Sequence, residues 1–217
     1  MLPASRRKMP YHKGSRMITA TGSPGKDRTM GFHYQNLTIS PRGWLQEATA
    51  EPSSHYNCRP EGEISLLVIH NISLPPGKYG STDIADFFCG KLDPRGDPYF
   101  STITGLEVSA HCLIRRTGEI VQFVSFLDRA WHAGKSEFQG ISACNDFSLG
   151  IELEGTDFEA FAPEQYESLI RLTKTLMAVY PLITRDRITG HSDIAPGRKT
   201  DPGPYFDWNF YLSKLSE

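Results

Sequence analysis

Long hydrophobic runs are missing from this sequence of 217 residues. The longest one, residues 176–183, contains Pro181 and is far shorter than the roughly 18 residues that a membrane-spanning helix needs. We therefore expect no membrane segment and no membrane partner. Hydrophobic residues make up 39% of the chain and charged residues 22%, a balance that is typical of one globular domain of ordinary size.

Cysteine is scarce, with four residues at positions 58, 89, 112 and 144 and no CxxC pair. This spacing excludes a cysteine-based zinc knuckle. A chain of this size needs no disulfides to stabilise its core, so we predict free thiols. Residues 17–20 are too short and too polar to be the apolar core of a signal peptide, and we expect a cytoplasmic protein.

A strong net charge is also missing, since 23 basic residues face 25 acidic ones. Residues 1–30 hold seven of the basic residues and one acid, and the other 187 residues carry 16 basic and 24 acidic side chains, a net charge of −8. Phosphate binding needs clustered Lys and Arg on the folded surface. We therefore expect no nucleic-acid partner.

Residues 1–29 are rich in Ser, Gly, Pro, Thr and basic side chains and show no hydrophobic period. Such a segment buries too little apolar surface to offset the entropy lost on ordering. We predict a disordered basic leader over 1–29 and a single domain over 30–217.

Local patterns in the remaining chain predict an α/β (α+β) fold, a central mostly mixed β-sheet flanked by helices. The apolar run 64–70 predicts a buried strand. Residues 148–154 alternate, which places Gly150, Glu152 and Glu154 on the face opposite to the apolar side chains. Helical spacing predicts a long helix over 163–180. Further predictions are a helix over 81–88, a hairpin of 108–115 and 119–126, a strand over 187–191 and a closing helix over 206–215.

The loop 190–204 is rich in Gly and Pro and also contains His191, Lys199 and Asp201. Pro202 favours an extended conformation at Asp201, so the side chains of Lys199 and Asp201 are expected on the same side of the chain. This pattern is compatible with a functional loop. A solvated loop with a surface ion pair is the alternative.

Four separated motifs resemble the AmpD family of cytoplasmic, zinc-dependent N-acetylmuramoyl-L-alanine amidases, over about residues 43–208. They are His70-Asn71 at the end of an apolar strand, Ser109-Ala110-His111, the stretch Gly-Ile-Glu-Leu-Glu-Gly at 150–155, and Gly-His at 190–191 followed by Arg-Lys-Thr-Asp-Pro-Gly at 198–203. The resemblance implies a peptidoglycan-recognition-like fold.

The resemblance implies that His70, His191 and Asp201 bind Zn²⁺. Catalytic zinc commonly has three protein ligands of the N or O type and an open fourth position, which agrees with this set. Two neutral imidazoles and one carboxylate leave a net charge of about +1, which helps to lower the pKa of a bound water toward roughly 7.

The resemblance also implies that Glu152 is the general base and that Lys199 stabilises the oxyanion. An exposed strand acid and a solvated lysine are the alternatives. Asn71, Trp131 and His132 resemble the substrate groove of the family, although an interior position is also compatible with a tryptophan. His111, inside a predicted strand, is expected to be structural or to support the site.

The implied reaction is hydrolysis of the amide bond between the lactyl group of 1,6-anhydro-N-acetylmuramic acid and the L-alanine of the stem peptide, during peptidoglycan recycling in the cytoplasm. The substrate partner is therefore a muropeptide. Two alternatives stay open, namely a wall- or phage-type amidase that acts on intact peptidoglycan and a non-catalytic peptidoglycan-binding module. The sequence contains no signal for the oligomeric state.

Overall fold

The computed structural model describes residues 37–216, so the predicted leader over 1–29 lies outside the described residues. The strands are β1 Thr49–Ala50, β2 Tyr56–Cys58, β3 Leu66–Ile72, β4 Cys112–Ile114, β5 Ile120–Gln122, β6 Asp128–Ala130, β7 Glu137–Phe138, β8 Ile141–Ser142, β9 Ser148–Glu154 and β10 Ile188–Gly190. The α-helices are α1 Asp83–Phe88, α2 Phe100–Ile103, α3 Pro163–Val179, α4 His191–Ile194 and α5 Trp208–Lys214. Short 3₁₀ turns cover Cys144–Asp146 and Arg185–Arg187.

Six strands form the central sheet in the order β1-β5-β4-β9-β3-β10. Strand β9 pairs in parallel with both β3 and β4, and β10 pairs in parallel with β3. The hairpin of β4 and β5 supplies the antiparallel pair. The mixed sheet flanked by helices confirms the predicted fold class. Two further pairs, β2 with β6 and β7 with β8, lie outside this sheet.

The two faces of the sheet carry different side chains. One face packs against α3 and α5 through a core cluster that includes Leu67, Ile69 and Ile151 from the strands and Leu172 and Tyr211 from the helices. The alternate residues of the same strands point to the other face, where loops and the short helices cover them. All seven residues of β9 are buried, so its polar face is enclosed as well.

Helix α3 begins at Pro163, a position where the missing N–H costs nothing. Ala162 precedes it and has no side chain that could cap the helix. The side chain of Gln165 stabilises the start of the helix instead. Its Oε1 accepts a hydrogen bond from the backbone N of Ala162, and its Nε2 donates to the carbonyl groups of Ile114 and Glu154. A buried amide in the first turn of α3 thus satisfies carbonyl groups at the ends of β4 and β9.

The turn between β4 and β5 depends on Gly118, whose φ of +83° is readily adopted by glycine alone. A Cβ at this position would lie 2.7 Å from the carbonyl oxygen of Glu164 in α3. The predicted hairpin is confirmed, but its strands are shorter than expected. Some flanking backbone groups bond to loops instead: the N of Ser109 donates to the carbonyl oxygen of Trp131, and the carbonyl oxygen of Phe123 accepts from the N of Ser53.

Most of the predicted elements are confirmed with small shifts of their ends. The strand predicted over 187–191 ends at Gly190, and His191 begins α4 instead. The four cysteines are free thiols, as predicted. Every helix within residues 37–216 is too short or too polar to span a lipid bilayer. The single-domain prediction for 30–217 stays a prediction.

Truncation of Ile151, which is fully buried between β3 and β4 and beneath α3, is expected to destabilise the protein. Ile151→Ala should lower the free energy of unfolding by about 2–5 kcal/mol, because the lost apolar contacts leave a cavity. Urea denaturation measures the change. Phe158→Ala is the control, since Phe158 is 83% exposed and its loss should change stability by no more than about 0.5 kcal/mol. Equal effects of the two changes would contradict the described core.

Candidate metal centre

Neighbouring parallel strands place the first candidate ligand beside the candidate base. His70 in β3 is the register partner of Glu152 in β9, and both side chains point away from the α3 face. The register of β10 on β3 pairs Gly190 with Ile69. His191, the next residue, therefore starts its helix beside His70.

The loop after α4 returns the third candidate ligand to the same place. The backbone N of Ser192 donates to the carbonyl oxygen of Asp201 over 2.9 Å, which fixes Asp201 next to His191. Gly190 permits this approach, because a Cβ there would lie 2.9 Å from Cδ of Pro202. The side chains of the two histidines are almost fully buried, and that of Asp201 is 14% exposed.

Three donor atoms converge at this point. Nδ1 of His70, Nδ1 of His191 and Oδ2 of Asp201 lie 3.0 Å from one another in every pair. Within residues 37–216 they form the one group of three His, Cys, Asp or Glu side chains with this closeness. The structure thus brings together all three predicted ligands.

Hydrogen bonds alone do not explain the three short contacts between these donor atoms. Burial lowers the pKa of His70 to about 4, so its imidazole is neutral near pH 7. Although burial opposes it, the hydrogen bonds from His191 and His70 hold the pKa of Asp201 below its ordinary value. With Asp201 ionised, each Nδ1 offers one proton or one lone pair, and no assignment turns all three contacts into hydrogen bonds.

A cation between the three atoms removes this conflict, because it accepts all three lone pairs. The 3.0 Å separations are close to the roughly 3.3 Å expected between ligands that lie about 2.0–2.1 Å from a tetrahedral zinc ion. Two imidazole nitrogens and one carboxylate oxygen are also a donor set that suits zinc. The residues present therefore fit a catalytic zinc ion.

Glu152 is 8% exposed, and its Oε2 has no hydrogen-bond partner. Burial, together with the negative charge of Asp201, raises the pKa of Glu152 well above its ordinary value, whereas Lys199 lowers it. An unpaired buried carboxylate is energetically costly and is more common at functional positions than elsewhere. Its free oxygen is available to a proton on a bound molecule.

Glu154 lies on the same face of β9 but does a different task. Its carboxylate accepts hydrogen bonds from the backbone N of Gly80 over 2.7 Å and of Arg116 over 3.0 Å. These bonds join the loop before α1 to the turn of the β4–β5 hairpin. Glu154 therefore has a structural role.

The other predicted residues line the same cleft, which has a volume of about 380 Å³. Lys199 lies exposed at its edge, beside Asp201. Asn71 donates through Nδ2 to Oδ1 of Asp157 and to the carbonyl oxygen of Pro202, so its amide protons hold two loops together. Its predicted contact with substrate stays a prediction.

Trp131 and His132 follow β6 and also line the cleft. The indole of Trp131 is partly exposed, stacks on His55 with 6.2 Å between the ring centroids and donates to Asn57. His132 is partly buried, and its Nδ1 and Nε2 lie close to His70 and Ser148. Their predicted role in substrate binding stays a prediction.

Sequence reasoning missed the apolar wall of the cleft. Tyr99, Ile103 and Leu106, in and around α2, line the cleft together with the polar side chains. No local pattern predicts so short a helix, and its place beside β3 depends on tertiary packing. His111, by contrast, is structural as expected: its Nδ1 accepts from the backbone N of Gly150, and it is fully buried.

Comparison with known proteins agrees with this geometry. A family profile described as N-acetylmuramoyl-L-alanine amidase (Amidase_2) matches residues 60–204. The 1,6-anhydro-N-acetylmuramyl-L-alanine amidase AmpD of Salmonella typhimurium strain SL1344 is 60% identical over 171 residues, which are 78% of this chain and 91% of that protein.

Two solved structures are also similar. A crystal structure of a selenomethionine derivative of AmpD has a TM-score of 0.80 and 55% sequence identity, and the match covers 82% of this chain and 99% of that chain. The amidase AmiD from E. coli, solved as a complex with anhydro-N-acetylmuramic acid-L-Ala-D-gamma-Glu-L-Lys, has a TM-score of 0.52 and 28% identity over 82% of this chain and 65% of that chain.

Replacement of either glutamate of β9 by glutamine is expected to change the stability of the metal-free protein, and in opposite directions for Glu152 and Glu154. Below pH 4.5, the ordinary pKa of Glu152, its carboxyl is protonated in both the folded and the unfolded chain. As the pH rises, the unfolded chain ionises first, because the folded pKa is raised, and the wild type loses stability. Glu152→Gln should therefore raise the unfolding midpoint, and more at pH 7.5 than at pH 5.

Glu154→Gln is the matched control, two residues away on the same face. It should destabilise the protein by about 1–3 kcal/mol, because an amide cannot accept both backbone hydrogen bonds. Urea denaturation in the presence of a chelator measures both variants. A loss of stability in Glu152→Gln that is as large as in Glu154→Gln would show that the carboxylate of Glu152 is paired.

Proposed function

The chain belongs to the family of N-acetylmuramoyl-L-alanine amidases that includes AmpD, and we propose that it is a zinc enzyme that cleaves 1,6-anhydromuropeptides. The bond that breaks is the amide between the lactyl group of the muramic acid and the L-alanine of the stem peptide. The convergence of His70, His191 and Asp201 at 3.0 Å carries this proposal.

A bound zinc ion supplies a Lewis acid for the scissile carbonyl group and lowers the pKa of a coordinated water. His70, His191 and Asp201 would hold the ion. Their donor set leaves a net positive charge at the site, since the imidazole of His70 is neutral near pH 7.

Glu152 would move the proton. Its unpaired Oε2 accepts a proton from the attacking water, the water oxygen bonds to the lactyl carbonyl carbon, and the carbon–nitrogen bond breaks. The same carboxyl group then delivers the proton to the leaving nitrogen of L-alanine. Its raised pKa suits a group that both accepts and donates near neutral pH.

Lys199 would stabilise the oxyanion that develops on the carbonyl oxygen. The side chain lines the cleft together with Glu152 and Asp201, and its ammonium group offers three N–H donors. Charge of this kind acts mainly on the transition state, where the oxygen becomes negative.

The substrate class is proposed from the relatives. AmpD of S. typhimurium carries the 1,6-anhydro sugar in its name, and AmiD was solved with an anhydromuropeptide. In this chain the cleft joins a polar end at the candidate zinc site to the apolar wall of α2, and Asn71, Trp131 and His132 line it. A cytoplasmic place in wall recycling is part of the proposal, because the resemblance to AmpD implies it.

Removal of a ligand is expected to abolish zinc binding. The wild type should hold about one zinc ion per chain, and Asp201→Ala should hold much less and unfold at a lower temperature, because metal binding and folding are coupled. Elemental analysis and thermal unfolding with and without chelator measure this. Asp93→Ala, at an exposed aspartate, is the control. Less than half a zinc ion per chain in active wild type would overturn the proposal.

Removal of the side chain of Glu152 or of Lys199 is expected to lower the turnover rate without loss of bound zinc. Glu152→Ala should lower kcat by about 10²- to 10⁴-fold, and Lys199→Ala by about 10²- to 10³-fold. Hydrolysis of a defined anhydromuropeptide measures kcat, and elemental analysis verifies that zinc is retained. Lys91→Ala, at an exposed lysine, should match the wild type.

Activity on intact peptidoglycan is measured in parallel. Faster cleavage of the polymer than of the soluble fragment would identify a wall-directed amidase and overturn the substrate proposed here. Near wild-type turnover in Glu152→Ala would show that another group moves the proton.

A further inference from the structure

We infer that His132 is a positioning residue, which sets the tautomer of His70 through a hydrogen-bonded relay that ends at Ser148. The inference rests on the zinc site proposed above. It concerns the proton on the far side of the His70 ring, which decides whether the near nitrogen is able to bind a metal ion.

His70 presents Nδ1 to the site, so ligation needs a lone pair on Nδ1 and the proton on Nε2. Nε2 of His70 lies 2.9 Å from Nδ1 of His132. The ligating tautomer of His70 therefore requires that Nδ1 of His132 accepts a hydrogen bond.

The contact between His132 and Ser148 involves the second ring nitrogen of His132, Nε2. If its Nδ1 accepts, its proton is on Nε2, which lies 3.1 Å from Oγ of Ser148. The hydroxyl oxygen of Ser148 is then the acceptor. The opposite assignment, with Ser148 donating, places a proton on Nδ1 of His70 and blocks the metal position.

The second imidazole ligand has a backbone carbonyl group, not another imidazole, as the nearest partner of its far nitrogen. Nε2 of His191 lies 3.1 Å from the carbonyl oxygen of Ala133, which is an acceptor in every protonation state. Nη2 of Arg198 donates to the same carbonyl oxygen over 2.6 Å and lies 3.5 Å from Nε2 of His191. The shorter contact, with the carbonyl oxygen, favours a proton on Nε2 of His191 and leaves Nδ1 free. The tautomer of His70 is the variable one, because its partner is an imidazole that either accepts or donates.

The fold holds His132 in this position. It packs over Gly150 of β9, where a Cβ would lie 2.4 Å from Cγ of His132. The ring lies edge-on to His70 with 5.0 Å between centroids, and its backbone N donates to Oδ1 of Asn145. Ser148 and Gly150 share the face of β9 that also carries Glu152, so one strand supports both the relay and the base.

Both ring nitrogens of His132 have protein partners, Nε2 of His70 and Oγ of Ser148. His111, whose ring lies 5.7 Å away, does not compete for them: its Nδ1 accepts from Gly150, and its Nε2 lies 3.2 Å from the carbonyl oxygen of Asp128. The relay therefore consists of three side chains, His70, His132 and Ser148.

Two variants separate positioning from packing. His132→Phe keeps the ring but removes the acceptor, and it should weaken zinc binding by about 10- to 100-fold. His132→Asn places a carbonyl oxygen near the position of Nδ1 and should recover most of the affinity. Competition with a chromophoric chelator measures the zinc affinity of each full-length protein. His55→Phe, a change at a histidine that stacks on Trp131, should match the wild type.

The tautomer itself is read by long-range ¹H–¹⁵N NMR of histidine-labelled protein. In zinc-loaded wild type, His70 and His132 should both carry the proton on Nε2. Ser148→Ala, which removes the last acceptor, should change the signals of His132 and weaken zinc binding less than His132→Phe does. If His132→Phe fails to fold, His132→Asn and Ser148→Ala provide the same comparison.

The measurements distinguish failure of the zinc site from failure of the relay. Wild type without stoichiometric zinc would overturn both the zinc site and the relay. Zinc-binding wild type together with unchanged affinity in His132→Phe, or with a proton on Nδ1 of His132, would overturn the relay alone. Equal losses of affinity in the Phe and Asn variants, with equally lowered stability of the metal-free proteins, would show that His132 serves packing only.

Discussion

The contact of two imidazole nitrogens and one carboxylate oxygen, each 3.0 Å from the others, is the constraint on which the site depends. No arrangement of protons turns all three contacts into hydrogen bonds, whereas a divalent cation accepts a lone pair from each of the three atoms. The parallel pairing of β3 with β10 holds His70 and His191 together, and the hydrogen bond between Ser192 and Asp201 holds the third atom. The apolar face beneath, packed on α3, gives these strands the rigidity that a catalytic site needs.

The polar face of β9 shows how one strand serves structure and chemistry at once. Glu154 satisfies two backbone N–H groups and joins two loops, whereas Glu152 keeps an unpaired oxygen in the cleft. Gly150 and Ser148 on the same face leave room for His132 and give it a partner. Burial of an unpaired carboxylate destabilises the fold, and favourable packing elsewhere in the core offsets this loss, as is common at functional sites.

Burial keeps His70 and His132 neutral near pH 7, because it lowers the pKa of both side chains. A neutral imidazole is the form that binds a metal ion, and its second nitrogen then needs a defined partner. His191 has a backbone carbonyl and His70 has a second imidazole. Because of this asymmetry, the proposed zinc site depends on the environment of His132 in addition to the three ligands.

Elements with a local hydrophobic pattern are predictable from the chain without knowledge of its fold. The alternation in 148–154 and the helical period in 163–180 predict β9 and α3 almost to the residue, because one face of each is apolar and buried. The motifs around His70, Glu152, His191, Lys199 and Asp201 also identified the family and the candidate residues. Which atoms meet in the site is not predictable in this way. The use of Nδ1, the partners of His132 and the position of α2 depend on contacts between residues up to 131 positions apart. Such contacts leave no periodic trace in the chain, since they arise from strand order and loop closure rather than from neighbouring side chains.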